Sequence, residues 1–167
     1  MRDMANINFF DKRFQKEDAR TDLEFGIYDP GDNKPAVTTS DTSLGQAIVK
    51  NQQKKIVQFV AIDHNMDIRK QNGNAESTCD GMLYVDTSFL AFVELKDELK
   101  NWISEAVSQL ENTIKLFKEN NYRTFSKHRA YAANKKHPQY AYSEKERMQH
   151  FKNRTGFTLY INGTIVI

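Results

Sequence analysis

Asp80, Glu94 and Lys96 are the residues of this chain whose types and spacing best suit hydrolytic chemistry. Glu94 and Lys96 are two residues apart, so they share one face if the segment is a β-strand. Carboxylate oxygens are the ligands that Mg²⁺ prefers, and an amine beside a bound ion can orient water or stabilise negative charge. The set therefore predicts a site for a divalent metal ion with a water molecule beside it.

A β-hairpin is predicted to bring these residues together. Two apolar runs flank residues 86–88, Asp-Thr-Ser, which are typical of a turn. With the turn centred there, Asp80 lies opposite Glu94 or Leu95. Because the second run is apolar on both faces, we expect a central strand, where a charged residue needs a partner.

An amphipathic helix is predicted after the hairpin. Apolar residues at helical spacing form one stripe along residues 102–120. Gln109 is a polar residue of this helix at a turn that can face the hairpin. Asp80, the Glu-X-Lys segment and Gln109 are thus expected on successive elements of the chain.

The segment Phe92-Val-Glu-Leu-Lys96, with Asp80 before it and a helix after it, resembles the active site of the PD-(D/E)XK nuclease superfamily. The family pattern is an acidic residue on one strand, Glu-X-Lys on the next, and a helix that often carries a glutamine, for which Gln109 is the candidate. Cys79 stands where the family name has proline. The resemblance covers residues 54–134 and implies an α/β restriction-endonuclease-like core, a mixed central sheet flanked by helices in the order α-β-β-β-α-β.

The same resemblance implies metal-dependent hydrolysis of nucleic acid, with DNA favoured as the substrate. Asp80, Glu94 and the backbone carbonyl of Leu95 are then expected to be ligands of Mg²⁺ or Mn²⁺. Lys96 is expected to orient or help to deprotonate the attacking water, or to stabilise the developing oxyanion. Gln109 is expected to position Lys96 or a water molecule.

The sequence alone leaves other interpretations of Glu94, Lys96 and Gln109 open. A Glu-X-Lys tripeptide on a strand is usually a solvated face with a weak ion pair, and Gln109 is as consistent with an exposed helix glutamine. The chain is also compatible with a catalytically silent nuclease-fold protein that acts as a binding or regulatory module. If the oxygens of Asp80 and Glu94 surround an open pocket, catalysis is favoured. If Lys96 is bonded to both acids and buried beneath other side chains, a structural cluster is favoured.

A basic stretch at residues 121–154 is the candidate surface for a phosphate backbone. It carries nine lysines and arginines against two glutamates, with tyrosines and histidines between them. Arg129, Lys135 and Lys136 lie at or beside the strand predicted after the long helix, so we expect them near the hairpin and in contact with nucleic acid. A solvated face explains the same charges equally well.

Turn, capping and periodicity signals predict the remaining elements. Before the hairpin they indicate a strand at 25–29, a helix at about 42–53 capped by Ser40 or Asp41, a strand at 55–63 and a polar loop at 64–78. After the long helix they indicate a strand at 129–134, a helix from a Ser143 cap to about 153, and a hairpin of 155–161 with 164–167 around Asn162-Gly163.

Length and composition fit one domain spanning residues 1–167. The formal net charge of +2 argues neither for nor against nucleic acid. The one cysteine, Cys79, excludes an intramolecular disulfide and a Cys-based zinc site, and indicates a reducing compartment. The chain begins without the apolar run of a signal peptide and has no stretch of transmembrane length, so we expect a cytoplasmic protein without a membrane partner.

A homodimer or a hetero-complex is expected if both strands of a duplex are cut in one encounter, because one active site cuts one strand. The candidate contact surfaces are the stripe of Phe9, Phe10 and Phe14 and the C-terminal strand at 164–167. The alternative is that these phenylalanines fold back onto the core of their own protomer and that the last strand is covered.

Overall fold

The computed structural model describes residues 7–121, 123–136 and 144–167. Within these ranges the chain forms two mixed sheets and two α-helices, so the protein belongs to the mixed α/β class. The strands are β1 (Glu24–Tyr28), β2 (Val37–Thr39), β3 (Ala47–Lys50), β4 (Gln58–Ala61), β5 (Gly81–Val85), β6 (Phe89–Lys96), β7 (Lys127–Asn134), β8 (Thr158–Tyr160) and β9 (Thr164–Val166). The helices are α1 (Ile103–Asn120) and α2 (Lys145–Thr155).

The central sheet has the strand order β4-β5-β6-β7-β8. β4, β5 and β6 are antiparallel neighbours, whereas β6, β7 and β8 run parallel. Parallel neighbours need a crossover connection, and α1 and α2 supply the two crossovers. Every residue of β6 is buried, which confirms the prediction of a central strand from its apolar sequence.

The outer sheet has the strand order β2-β1-β3-β9. β1 pairs antiparallel with β2 and β3, and β9 pairs parallel with β3. Its inward side chains, such as Phe25, Val49 and Ile165, form one hydrophobic cluster with Leu83 and Val93 of the central sheet. The outer sheet therefore covers one face of the central sheet.

The helices cover the opposite face of the central sheet. Leu90 and Phe92 of β6 belong to a second hydrophobic cluster with Leu110 and Ile114 of α1 and Phe151 of α2. The predicted apolar stripe of α1 is confirmed by this burial. Neither helix in the described ranges is long and apolar enough to cross a membrane.

The helix predicted at 42–53 is wrong. Asp41 does cap a helical turn, because its side chain accepts a hydrogen bond from the Ser43 N–H at 3.1 Å, but the turn is a single 3-10 turn, Thr42–Leu44. The following Ala47–Lys50 is β3, whose Ile-Val pair favours a strand once two neighbouring strands are present. Residues 7–57 ahead of β4 thus contain no α-helix, and the first helix of the expected order is missing from them.

The predicted C-terminal hairpin around Asn162-Gly163 is also wrong. β8 pairs parallel with β7 in the central sheet, whereas β9 pairs parallel with β3 in the outer sheet. Leu159 and Ile165 are accordingly buried in different hydrophobic clusters. β8 forms an edge strand of the central sheet and β9 an edge strand of the outer sheet, so the segment between them connects the two sheets.

Phe9 and Phe14 are buried in their own protomer, so the predicted contact surface of three phenylalanines is wrong. The Phe9 ring packs edge-on against Phe92 and Phe117, with centroids 6.4 and 5.5 Å away. Phe10 is partly buried. Its ring stacks on Phe125 with the centroids 5.9 Å apart and packs edge-on against Phe117 at 5.8 Å. The Ser143 cap, and Tyr122, His137, Tyr140 and Tyr142 of the basic stretch, lie outside the described residues.

Candidate active site

The candidate site lies where β5 begins and β6 and β7 end. The register of the β5–β6 hairpin places Asp80 opposite Glu94. Alternation along β6 puts Glu94 and Lys96 on the same face as Phe92, which is the face covered by α1. The structure therefore brings Asp80, Glu94 and Lys96 together, as the sequence predicts.

The backbone of Leu95 has no partner residue in β5, because β5 begins at Gly81, which pairs with Val93. The Leu95 N–H donates to Asp80 Oδ2 at 2.7 Å, so the carboxylate occupies the place that a partner backbone would take. In an extended strand the N–H and C=O of one residue project to the same side. The Leu95 carbonyl is therefore directed to the side of β6 on which Asp80 lies, where it can be a third oxygen ligand.

The carboxyl groups of Asp80 and Glu94 are within hydrogen-bonding reach of each other. Burial, and then the charge of Asp80, raise the pKa of Glu94 well above its usual range, and the Lys96 ammonium offsets this only in part. The pKa of Asp80 is also raised, mainly by burial. Glu94 is buried and Asp80 is half-buried. Two carboxyl groups this close need a proton or a cation between them, so a metal ion can take the place of a proton here.

Lys96 is bound by carboxylates from two elements. Its Nζ lies 3.4 Å from Glu94 Oε2 on its own strand and 3.1 Å from Glu105 Oε1 in the first turn of α1. Burial lowers the pKa of Lys96, but the charges of Glu94 and Glu105 outweigh it, so the pKa is raised overall. Lys96 is therefore an ammonium at neutral pH and is suited to stabilising negative charge.

Gln109 contacts the segment before Asp80 and not Lys96. Its Nε2 donates to the Thr78 carbonyl at 3.3 Å, whereas its Oε1 is buried without a hydrogen-bond partner among the described residues. That free acceptor could receive a hydrogen bond from a water molecule. The role expected for Gln109 toward a water stays a prediction, and a direct contact with Lys96 is not formed.

Helix α1 also fixes the backbone that leads into Asp80. The Cys79 N–H donates to Thr113 Oγ1 at 2.7 Å, and Asn112 Nδ2 donates to the Ser77 carbonyl at 2.7 Å. Thr113 is fully buried, and its hydroxyl donates in turn to the Gln109 carbonyl. The same helix thus holds both sides of the site, the Asp80 segment and Lys96.

Asn134 fixes the chain on the other side of Lys96. It pairs with Lys96 in the β6–β7 register, and its Nδ2 donates to the Glu98 carbonyl at 2.7 Å. Its Oδ1 accepts hydrogen bonds from the backbone N–H groups of Glu98 and Lys136. This fully buried amide ties together the two segments that leave the site.

The predicted nucleic-acid residues separate into two groups. Lys135 and Lys136 follow the end of β7 and are exposed at the same edge as Lys96, and Lys136 Nζ lies 3.8 Å from Asp97. Arg129 lies on the opposite face of the sheet, where its guanidinium stacks on Phe89 and donates to the Val166 carbonyl at 2.9 Å. Arg129 thus joins the two sheets and lies away from the site.

Glu105, Thr113 and Asn134 are the site residues that the sequence reasoning missed. Only Glu105 had a visible signal, because it lies one helical turn before Gln109 and so shares its side of α1. The other two are recognisable only once the register of β6 and β7 and the path of the preceding loop are known.

The donor set at this site fits a hard divalent ion. The described ranges contain no group of three or more histidine, cysteine, aspartate or glutamate side chains placed to hold a metal ion. A metal ion here would depend on Asp80, Glu94 and the Leu95 carbonyl, with water completing its shell. Such an all-oxygen set suits Mg²⁺, which keeps several water ligands and is commonly held by one or two carboxylates.

No protein-family model, no curated protein and no solved structure matches this chain. Similarity therefore assigns neither a family nor an activity. The fold and the site define a mixed α/β protein in which the buried Glu94, the half-buried Asp80 and the Lys96 ammonium meet at one edge of the central sheet.

Proposed function

We propose that this protein is a metal-dependent nuclease of the PD-(D/E)XK type, with DNA as the favoured substrate. The observation that carries the proposal is the contact of the Asp80 and Glu94 carboxyl groups beside the Lys96 ammonium, at the end of a buried hairpin. A buried and a half-buried acid in contact, both with raised pKa values and with a specific charge partner, are typical of a functional site.

The topology supports a restriction-endonuclease-like core. The succession β4, β5, β6, α1, β7 supplies the last five elements of the order α-β-β-β-α-β. β5 and β6 form the hairpin that carries the acids, and β7 returns parallel to β6 after α1. Two features depart from the expected core: residues 7–57 contain no α-helix, and the outer sheet covers one face of the central sheet. Neither feature involves a proposed site residue.

Asp80, Glu94 and the Leu95 carbonyl would hold a Mg²⁺ or Mn²⁺ ion. When bound, such an ion neutralises phosphate charge and makes a water molecule more acidic. The raised pKa of Glu94 supports this assignment, because a cation relieves the repulsion between the two carboxylates.

The protein's own residues position and stabilise the reacting groups. Lys96 is charged, and its ammonium can stabilise the negative charge that develops on the phosphate when water attacks and the P–O bond breaks. Gln109 Oε1, which accepts no hydrogen bond from the residues described by the structure, offers an acceptor for a water molecule. Lys135 and Lys136 are placed to attract the phosphate backbone to this edge.

A binding or regulatory module without catalysis is the second candidate. It is favoured by the pairing of Lys96 with carboxylates on two sides and by its low exposure, 10% of the side chain. A lysine committed to two acids can stabilise a fold without acting on a substrate. The two candidates differ in whether the chain cleaves nucleic acid.

Incubation with single- and double-stranded DNA and RNA, with Mg²⁺, Mn²⁺ or EDTA, separates them. The nuclease proposal expects cleavage of at least one substrate with a divalent ion and none with EDTA. The Asp80→Asn and Lys96→Met variants, purified in parallel, should be inactive while remaining folded by circular dichroism. Cleavage that persists in EDTA contradicts the nuclease proposal, and binding without cleavage under every condition favours the module.

A further inference from the structure

Glu105 reaches from the surface of α1 to a buried ammonium. Its Oε1 lies 3.1 Å from Lys96 Nζ, and the side chain of Glu105 is 63% exposed whereas that of Lys96 is 10% exposed. Most exposed ion pairs hold neither partner firmly. This pair differs because one member is almost fully enclosed and has few other orientations available.

We propose that Glu105 is the positioning residue for Lys96, holding the ammonium toward the phosphate during the reaction. This inference depends on the proposed nuclease function. The other partner of Lys96, Glu94, is in contact with Asp80 and would be committed to the metal ion. Among the described residues that pair with Lys96, Glu105 is then the carboxylate left to orient it.

Helix α1 gives Glu105 a fixed starting point. The next residue, Ala106, and Leu110 are fully buried against the central sheet. Glu105 also lies in the first turn of α1, where the helix dipole favours a negative charge. The backbone of Glu105 is thus anchored, and a lysine that is correctly placed gains much of its effect from that orientation.

The test is a substitution series in the full chain, Glu105→Asp, Glu105→Gln and Glu105→Ala, with Glu119→Gln as the matched control. Glu119 is an exposed glutamate near the other end of α1. At saturating Mg²⁺, kcat of Glu105→Ala should fall by about 10- to 100-fold, with a smaller loss for Glu105→Asp. KM and the Mn²⁺ dissociation constant should change by less than about twofold, since Glu105 touches neither substrate nor metal ion.

A second readout needs no catalysis. Acylation of amines by a succinimidyl ester in metal-free buffer, mapped by mass spectrometry, should label Lys96 several-fold faster in Glu105→Ala than in the wild type, and Lys135 at an unchanged rate. Equal kcat in wild type and Glu105→Ala overturns the inference alone, as does unchanged Lys96 labelling. A wild type that cleaves no nucleic acid overturns the proposed function and this inference with it.

Discussion

The Asp80 carboxylate, one residue before the start of β5, accepts a hydrogen bond from the Leu95 N–H at 2.7 Å. A side chain thus completes the backbone pairing of a central strand. Because the N–H and C=O of one residue in an extended strand project to the same side, the Leu95 carbonyl is also directed to the side on which Asp80 lies. Asp80 is therefore expected to act both in the structure of the site and as a metal ligand.

These two roles can be separated with Asp80→Asn and Asp80→Ala. Both variants remove a carboxylate, so both should lose most of the affinity for Mn²⁺ in isothermal titration. Asparagine keeps an acceptor for the Leu95 N–H, whereas alanine leaves that donor without its partner. Asp80→Asn should thus exceed Asp80→Ala by about 1 kcal/mol in the free energy of unfolding in urea. Equal stability of the two variants would show that the hydrogen bond to Leu95 contributes nothing.

The Glu94 carboxyl should make metal-free protein less stable as the pH rises. Because its pKa in the folded protein is raised above the usual value of 4.5, the native state binds this proton more tightly than the unfolded state. The contribution of this carboxyl to the free energy of unfolding is fully present below about pH 4.5 and is lost as the pH rises through the raised pKa. The free energy of unfolding then falls by at most about 1.4 kcal/mol per pH unit. Asp80 contributes in the same direction.

Urea unfolding between about pH 5 and pH 8 in EDTA checks this expectation. The wild type should lose more stability across this range than Glu94→Gln, which has no proton to release. Added Mg²⁺ should stabilise the wild type more at the upper end, where protons no longer compete for the carboxylates. Parallel pH profiles for the two proteins would contradict the raised pKa of Glu94.

Lys135 and Lys136 are expected to contact phosphates near the site. The double variant Lys135→Gln/Lys136→Gln should bind duplex DNA more weakly whatever its sequence. Its slope of log affinity against log salt should be shallower by up to about 2, because each lost phosphate contact releases about one counterion fewer. Fluorescence anisotropy over a range of salt concentrations measures both effects.

The matched control is Lys54→Gln/Lys55→Gln, which neutralises two consecutive lysines that precede β4. The site lies at the opposite end of β4, where Ala61 pairs with Gly81. It should leave the salt slope unchanged. If both double variants give the same slope, the charges of Lys135 and Lys136 belong to a merely solvated face. Arg129→Gln should also leave the slope unchanged, since Arg129 is bound between Phe89 and the Val166 carbonyl.

Thr113 is expected to hold the approach to Asp80 through the Cys79 N–H. Thr113→Val keeps the shape of the side chain but leaves a buried donor without its acceptor, which should reduce the free energy of unfolding by about 1–3 kcal/mol. Thr113→Ser keeps the hydroxyl and should be the more stable of the two variants in urea unfolding. If valine is tolerated better than serine, packing and not this hydrogen bond fixes the segment.

Local signals in the sequence were sufficient for the hairpin and for α1. The apolar runs on either side of the turn and the stripe through Ala106, Leu110 and Ile114 depend on neighbouring residues alone, and both elements form as predicted. β3 and the partner of β9 could not be predicted in this way. Local patterns predict a strand at 164–167, but they do not reveal that it pairs with β3 across more than 100 residues. The Ile-Val pair of β3 likewise becomes a strand only through partners that are distant in sequence.

The site was predictable to a similar extent. The spacing of Asp80, Glu94 and Lys96 follows from hairpin geometry, and the structure has this arrangement. Glu105 and Asn134 depend on how α1 and β7 cross the end of β6, which is a property of the tertiary fold. The length of the lysine side chain allows several partners, so sequence spacing could not select Glu105 over Gln109.

Comparing cleavage by Glu94→Gln and by the wild type is the decisive measurement for a nuclease site built on Glu94. The substitution keeps the size and hydrogen-bonding shape of the side chain and removes the charge needed to hold a divalent ion. With Mg²⁺ and the best nucleic-acid substrate, initial cleavage by Glu94→Gln should be at least about 100-fold slower than by wild type, and Glu119→Gln should equal wild type. Equal cleavage by wild type and Glu94→Gln at the same protein concentration would contradict a nuclease site built on Glu94.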